Sequence, residues 1–175
     1  DHVIERCSKP YGILINKQHD IRIINLSIYG PNGSGINVQD SKRVEISHCD
    51  ISNAPFCGIS IKTTEPLGAS EDIMVKKNQI LWNGNGIYII GKQGGYESNG
   101  ANRCQVIDNT IAYTNFETVW EHITKDGHAI GIQNTQNSKF EFNKIHHNYS
   151  GIALWTAPGY ISSNNSIIRN YIIYN

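Results

Sequence analysis

Leucine is scarce in this 175-residue chain: 5 Leu stand against 29 Ile, with 7 Ala and 1 Met. Helical cores are built mainly from Ala, Leu and Met. Their scarcity excludes a helix bundle and argues against a helix-rich α/β protein. Charge is sparse as well. Asp, Glu, Lys and Arg make up 17%, and Lys+Arg 15 against Asp+Glu 15 leaves a formal charge of zero. That balance excludes the broad basic surface of a nucleic-acid binder. No apolar run approaches the roughly 20 residues of a membrane helix. The four cysteines, Cys7, Cys49, Cys57 and Cys104, form no C-x-x-C pair. No zinc site, redox motif or disulfide scaffold follows from them, and buried free thiols are expected. Neither a metal nor another cofactor is indicated.

What is abundant is Ile, Asn and Gly, with 29, 20 and 16 copies. Ile is β-branched and favours strands; Asn and Gly favour turns. At 39% hydrophobic, the chain has enough apolar material for a folded core.

The apolar residues repeat. Gly-Ile-x-(Ile/Val/Leu) begins at Gly12, Gly35, Gly58, Gly86 and Gly151, and Ala129-Ile130-Gly131-Ile132 is a variant. The base period is 22–23 residues, lengthened by insertions. A second strand follows in each repeat, as in Arg43-Val44-Glu45-Ile46, Asp72-Ile73-Met74-Val75 and Lys139-Phe140-Glu141-Phe142. A third centres on Ile28, Ile51, Ile80, Ile111, Ile145 and Ile172. Two residues before these stand Leu26, Cys49, Asn78, Asn109, Asn143 and Asn170. Three short strands with period-2 alternation cannot bury an Ile face alone. Stacked repeats can, each strand pairing with its equivalent one coil away. Asn tolerates left-handed backbone and can bond its amide to its neighbours, so the Asn column predicts a hydrogen-bonded ladder.

On these features, the Gly-Ile-x-Ile strand, the three-strand coil and the Asn turn column, the chain resembles the right-handed parallel β-helix family, the pectate-lyase-like fold. The resemblance implies an all-β, three-sheet solenoid of about six coils of 22–23 residues, a single segment over 1–175. It further implies that the segment is part of a longer chain, with more coils or a cap at both ends to cover open strands. The fold hosts lyases, hydrolases, epimerases, esterases, tailspikes and adhesins, so it does not fix an activity.

Function is expected where the repeat is interrupted. Insertions fall at 63–70, 91–102 and 112–128, on both sides of the first strand. Together they make a groove floored by that strand's outward columns. The first column reads Leu14, Asn37, Ser60, Tyr88, Gly131, Ala153; the next reads Asn16, Gln39, Lys62, Ile90, Gln133, Trp155. In the family such a groove resembles the place where polysaccharide chains lie. Lys62, Tyr88, Gln133 and Trp155, with Trp120 from the longest insertion, are candidate sugar contacts. A solvated face with incidental aromatics is the competing reading.

The longest insertion carries Glu117, Trp120, Glu121, His122, Lys125, Asp126 and His128. Glycoside hydrolysis needs two carboxyl groups across a sugar. Asp126 with Glu121, or with Glu97 from the other wall, are the available pairs. β-Elimination from a uronide needs a base and a cation that neutralises the carboxylate. His122, His128, Lys125 and Lys62 are of those types. The candidate catalytic set is thus Glu121, His122, Lys125, Asp126 and His128. Two alternatives stay open. By parity from Ile130, His128 points inward or caps its strand. His122 and Asp126, four apart, can pair on one helical turn without any catalytic role.

The sequence departs from the characterised families. Pro55-Phe56-Cys57-Gly58 stands where a polygalacturonase-like enzyme should carry an Asp pair, and the outward columns lack the clustered Asp of calcium-dependent pectate lyases. The Asp-Pro-His motif of mannuronan epimerases is missing. Asp126-Gly127-His128 has only a loose likeness to a Gly-His-Gly segment. His146-His147 is expected at the surface rather than on a metal. Four matches to the Asn-x-Ser pattern, at Asn25, Asn32, Asn148 and Asn164, are expected by chance in so Asn-rich a chain. The expectation is an extracellular, periplasmic or cell-surface lyase or glycosidase acting on a polysaccharide or oligosaccharide, without nucleic-acid partners or membrane insertion. The alternative is a non-catalytic spacer, adhesin-like or glycan-binding solenoid.

Overall fold

The structure is a computed structural model, and it describes residues 2–64, 70–91, 101–114, 127–156 and 162–175. The described residues contain strands and turns but no helix. The strands assemble into three parallel sheets of six, six and seven strands. The coil count is about five full turns, slightly fewer than the expected six.

Sheet one holds the Gly-Ile strands: Tyr11–Asn16, Ser34–Gln39, Cys57–Lys62, Asn85–Ile90, His128–Gln133 and Ser150–Trp155. Sheet two holds His19–Ile24, Lys42–Ser47, Glu71–Lys76, Gln105–Ile107, Lys139–Glu141 and Ser166–Ile168. Sheet three holds the short strands that include Asp50–Ser52, Gln79–Leu81 and Thr110–Ala112. Every strand pairs with its equivalent in the adjoining coils, as Ile13 with Ile36, Ile36 with Ile59 and Ile87 with Ile130.

The core is the set of stacked Ile columns. Ile36, Ile59, Ile87 and Ile130 from sheet one meet Val44, Ile73, Val75 and Phe140 from sheet two and Ile51, Ile80, Ile111 and Ile145 from sheet three, all fully or almost fully buried. Burying each such side chain contributes about 1.5–3 kcal/mol. The column closes at the bend between sheets three and one. A β-carbon on Gly12 would lie 2.7 Å from the carbonyl oxygen of Gly35 and 2.8 Å from Ile28. Close approach of successive coils, not backbone conformation, is why the repeat begins with Gly.

The Asn ladder is present. Asn78, Asn109 and Asn143 accept at Oδ1 from the preceding coil's backbone N–H at 2.9–3.0 Å, and Asn170 does the same for Asn143. Their Nδ2 groups donate to strand carbonyls such as Val75 and Val106. The left-handed residue is not the Asn but the one before it: His48, Lys77, Asp108, Phe142 and Arg169 all have φ of 55–57°. The ladder therefore selects Asn for its two-sided amide, and the hydrogen-bonded turn holds whatever residue precedes it in left-handed geometry. Two further turns carry mixed ladders that the sequence pattern did not reveal: Thr114 to Asn148 to Asn175, and Cys104 to Ser138 to Asn165. All four cysteines are free, with Cys49, Cys57 and Cys104 buried as expected.

Candidate functional site

The outward columns of sheet one stack in the expected register. Leu14, Asn37, Ser60, Tyr88, Gly131 and Ala153 form one row across the coils, and Asn16, Gln39, Lys62, Ile90, Gln133 and Trp155 form the next. These residues point away from the Ile core because strand side chains alternate. Even so, much of the row is shielded from solvent. Leu14 is 51% exposed, whereas Asn37 and Ser60 are 0% and Tyr88 is 7%.

The predicted residues that come together are Tyr88, His128, Trp155 and Gln133. The Tyr88 and Trp155 rings lie 5.7 Å apart and tilted by 48°. The His128 ring lies 5.4 Å from Trp155. Gly131 is the reason they can meet. A β-carbon there would lie 2.5 Å from Tyr88 and 3.2 Å from Trp155, so the bare backbone forms the bed under both rings. Gln133 is the register partner of Trp155 and is buried on the same face.

Parity from Ile130 leaves His128 either pointing inward or capping its strand; it stands at the strand's first position with its ring against Trp155. Ala129 takes the corner slot that Gly occupies in other coils, where the chain bends and alternation breaks. His128 is consequently turned to the outer face, half-buried against Trp155. Its backbone N–H donates to Asn85 Oδ1 at 3.0 Å, tying this strand to the preceding coil.

Lys62 stands apart from this cluster. Its Nζ lies 5.0 Å over the Phe56 ring, a cation–π contact that holds it at the margin. Nearby, Gln39 Nε2 donates to Thr64 Oγ1 at 3.1 Å. Trp120, Glu121, His122, Lys125 and Asp126 lie outside the described residues, as does Glu97.

The sequence reading passed over Ser34, Asn37 and Ser60. Asn37 and Ser60 stood in the outward column but read as ordinary solvated residues. In the structure Asn37 Oδ1 and Nδ2 and Ser60 Oγ are buried with no hydrogen-bond partner among the described residues, while the buried Ser34 hydroxyl lies against the Cys57 thiol. Buried polar groups are nearly always paired; Asn37 and Ser60 are exceptions that lie wholly enclosed and so present no contact surface. Cys57, next to this cluster, is not its nucleophile. Burial pushes its thiol up to about 12, so it stays protonated. Among the described residues no group of three or more His, Cys, Asp or Glu is placed to hold a metal.

His146 and His147 lie at the surface as expected, in a stack away from sheet one. Trp82 stacks on Tyr113 at 4.2 Å and 6°, and Tyr113 stacks on His147 at 5.2 Å. Of the four Asn-x-Ser matches, Asn148 is buried as a ladder rung.

No curated protein shows significant sequence similarity to the chain. Among solved structures, the periplasmic alginate epimerase AlgG has a similar fold, with a TM-score of 0.58 and 12% identity over 93% of this chain and 40% of that one. The chain thus spans well under half of that protein, and at this identity the likeness is one of fold. The right-handed beta helix region family matches residues 11–95. The same three-sheet coil continues through the described residues beyond the match, so the chain is a parallel β-helix that resembles this family in sequence over 11–95.

Proposed function

We propose that this segment binds a glycan chain along the outer face of sheet one and belongs to a carbohydrate-active enzyme of the extracellular or periplasmic space. One observation carries the reading. On the outer face of sheet one, Tyr88, His128 and Trp155 form an aromatic and imidazole cluster over the bare backbone of Gly131, with the Gln133 amide on the same face. Sugars present hydroxyls at their edges and C–H groups on their faces, so a face offering both hydrogen-bond partners and flat rings is complementary to them. The fold likeness to a periplasmic alginate epimerase is compatible with a polysaccharide ligand and an extracytoplasmic site. Epimerisation itself is not part of the proposal, because the Asp-Pro-His motif is missing from the sequence.

In this reading the 112–128 insertion supplies the chemistry. Asp126 with Glu121 or Glu97 would serve as the acid and base of a glycosidase. His122, His128 and Lys125 would serve as the base and cation of a lyase. A second reading, glycan binding without catalysis, is favoured by the described face itself, whose outward columns carry no carboxylate and which has His128 as its one imidazole among the described residues.

The test is a polysaccharide panel monitored for reducing ends and for unsaturated uronide absorbance, with binding measured in parallel. Cleavage of one glycan, abolished by Asp126→Asn or Glu121→Gln, supports the enzyme reading. Binding without product supports the second. Trp155→Ala is expected to weaken binding about tenfold. Unchanged binding in that variant removes sheet one from the proposal.

A further inference from the structure

We infer that Asn32 is a site of spontaneous covalent modification, losing ammonia to become aspartate and isoaspartate, and that the fold steers this reaction to Asn32 and away from Asn83 and Asn85.

The chain has four Asn-Gly pairs, at Asn32-Gly33, Asn83-Gly84, Asn85-Gly86 and Asn99-Gly100. The last lies outside the described residues. In such a pair the backbone nitrogen after the Asn is unhindered, because glycine has no β-carbon. At Asn32 the Gly33 nitrogen bonds to the side-chain Cγ. The Cγ–Nδ2 bond breaks, and Nδ2 leaves as ammonia with the Gly33 amide proton. Water then opens the five-membered imide. Opening at Cγ leaves aspartate in an ordinary chain. Opening at the main-chain carbonyl leaves isoaspartate, whose backbone runs through the side chain and is one carbon longer.

Ring closure requires a side-chain amide that can turn and a glycine N–H that is not committed elsewhere. Asn32 is exposed, and among the described residues neither its amide nor the Gly33 N–H makes a hydrogen bond. Asn83 is the opposite case, at 1% exposure. Its Oδ1 accepts from Ala54 N at 2.9 Å, its Nδ2 donates to the Ile51 carbonyl at 3.1 Å, and Gly84 N donates to the Ala54 carbonyl at 2.9 Å. Asn85 is buried too, with Oδ1 accepting from His128 N at 3.0 Å and Nδ2 donating to the Phe56 carbonyl. Both must break these bonds before their rings can close, whereas Asn32 breaks none.

The reaction would not be silent. Asn32 N donates to the Cys7 carbonyl at 3.0 Å, Ser34 N to the Pro10 carbonyl at 2.9 Å, and Phe56 N to the Gly33 carbonyl at 3.0 Å. One extra backbone carbon between Asn32 and Gly33 puts the first of these bonds out of step with the other two. Either product also adds a negative charge at this bend.

The experiment incubates the intact, folded protein at neutral pH and follows each Asn-Gly peptide by mass spectrometry, where exchange of NH2 for OH adds about 1 Da. Isoaspartyl methyltransferase labelling detects the isomer. Asn32 is expected to convert at least about tenfold faster than Asn83 or Asn85 in the folded protein, and the gap should close in urea. Asn32→Gln, which can close only a slower six-membered ring, should abolish the isoaspartate label on that peptide. Equal rates at the three sites in the folded protein, faster conversion at Asn83 or Asn85, or no conversion at Asn32 overturns the inference. The wild-type comparison decides the matter even if the variant fails to fold.

Discussion

Asn109 shows how much one side chain can carry in this fold. Its Oδ1 accepts from the Asn78 backbone and side chain, and its Nδ2 donates to Val75 and Asn143. It is fully enclosed. Replacing it by Ala strands the Asn78 N–H and the Val75 carbonyl away from water, at a cost on the order of 3 kcal/mol. Urea denaturation should show that loss. A loss under about 0.5 kcal/mol would mean that the ladder is decorative. The same scale explains what the sequence disclosed. A ladder written in one residue type, Asn78 to Asn170, is visible as a column of letters. The ladders at the other turns mix Thr, Ser and Asn, as at Thr114, Ser138 and Asn165, because only a hydroxyl or amide oxygen is needed there. No single letter recurs, so no pattern appears.

Whole strands of sheet two are locked by charge. Asp20, Arg43, Asp72 and Arg103 hold equivalent left-handed positions in successive coils, with φ of 52–59°. Arg43 grips Asp20 and Arg103 grips Asp72 through two contacts each, at 2.6–2.8 Å. The alternation of sign fixes register, because a slip by one coil would set like charges together. These guanidinium groups hold the Asp20 and Asp72 carboxyls below their ordinary range, and Lys76 does the same for Glu45. The folded carboxylates thus release protons more readily than the unfolded ones. The stability they give is complete above the unfolded value near pH 4 and is lost as pH falls through the folded values. The urea midpoint should stay level from about pH 7 to 5 and drop below about 4. Asp72→Asn should make that drop shallower; an identical profile would show that the pair contributes nothing. The strands themselves were legible in the Ile spacing. The pairing of charges was not, since the inserted residues place Asp72 and Arg103 31 positions apart.

Taken whole, the molecule is a stack in which each coil touches only its neighbours. Perturbations in adjoining coils should therefore couple, and those in remote coils should add. Asn78→Ala with Asn109→Ala is expected to deviate from additivity by about 0.5–3 kcal/mol, while Asn78→Ala with Asn170→Ala should add within about 0.5. Equal coupling in the two pairs would show that the solenoid responds as one rigid block. At this scale the sequence also placed the outer face of sheet one, because register follows directly from the repeat. It did not show that Asn37 and Ser60 are enclosed or that His128 turns outward. Those depend on a bend at Ala129 and on shielding that no periodicity encodes. The shared register has one more consequence. Removing residues 36–58 would join Gly35 to Ile59 and set Ile13 beside Ile59, Ile21 beside Ile73 and Ile28 beside Ile80. Every column would lose one rung and none would shift. The strands of this molecule can therefore be edited by the whole turn, while a cut of odd length inside a strand flips its apolar face into water.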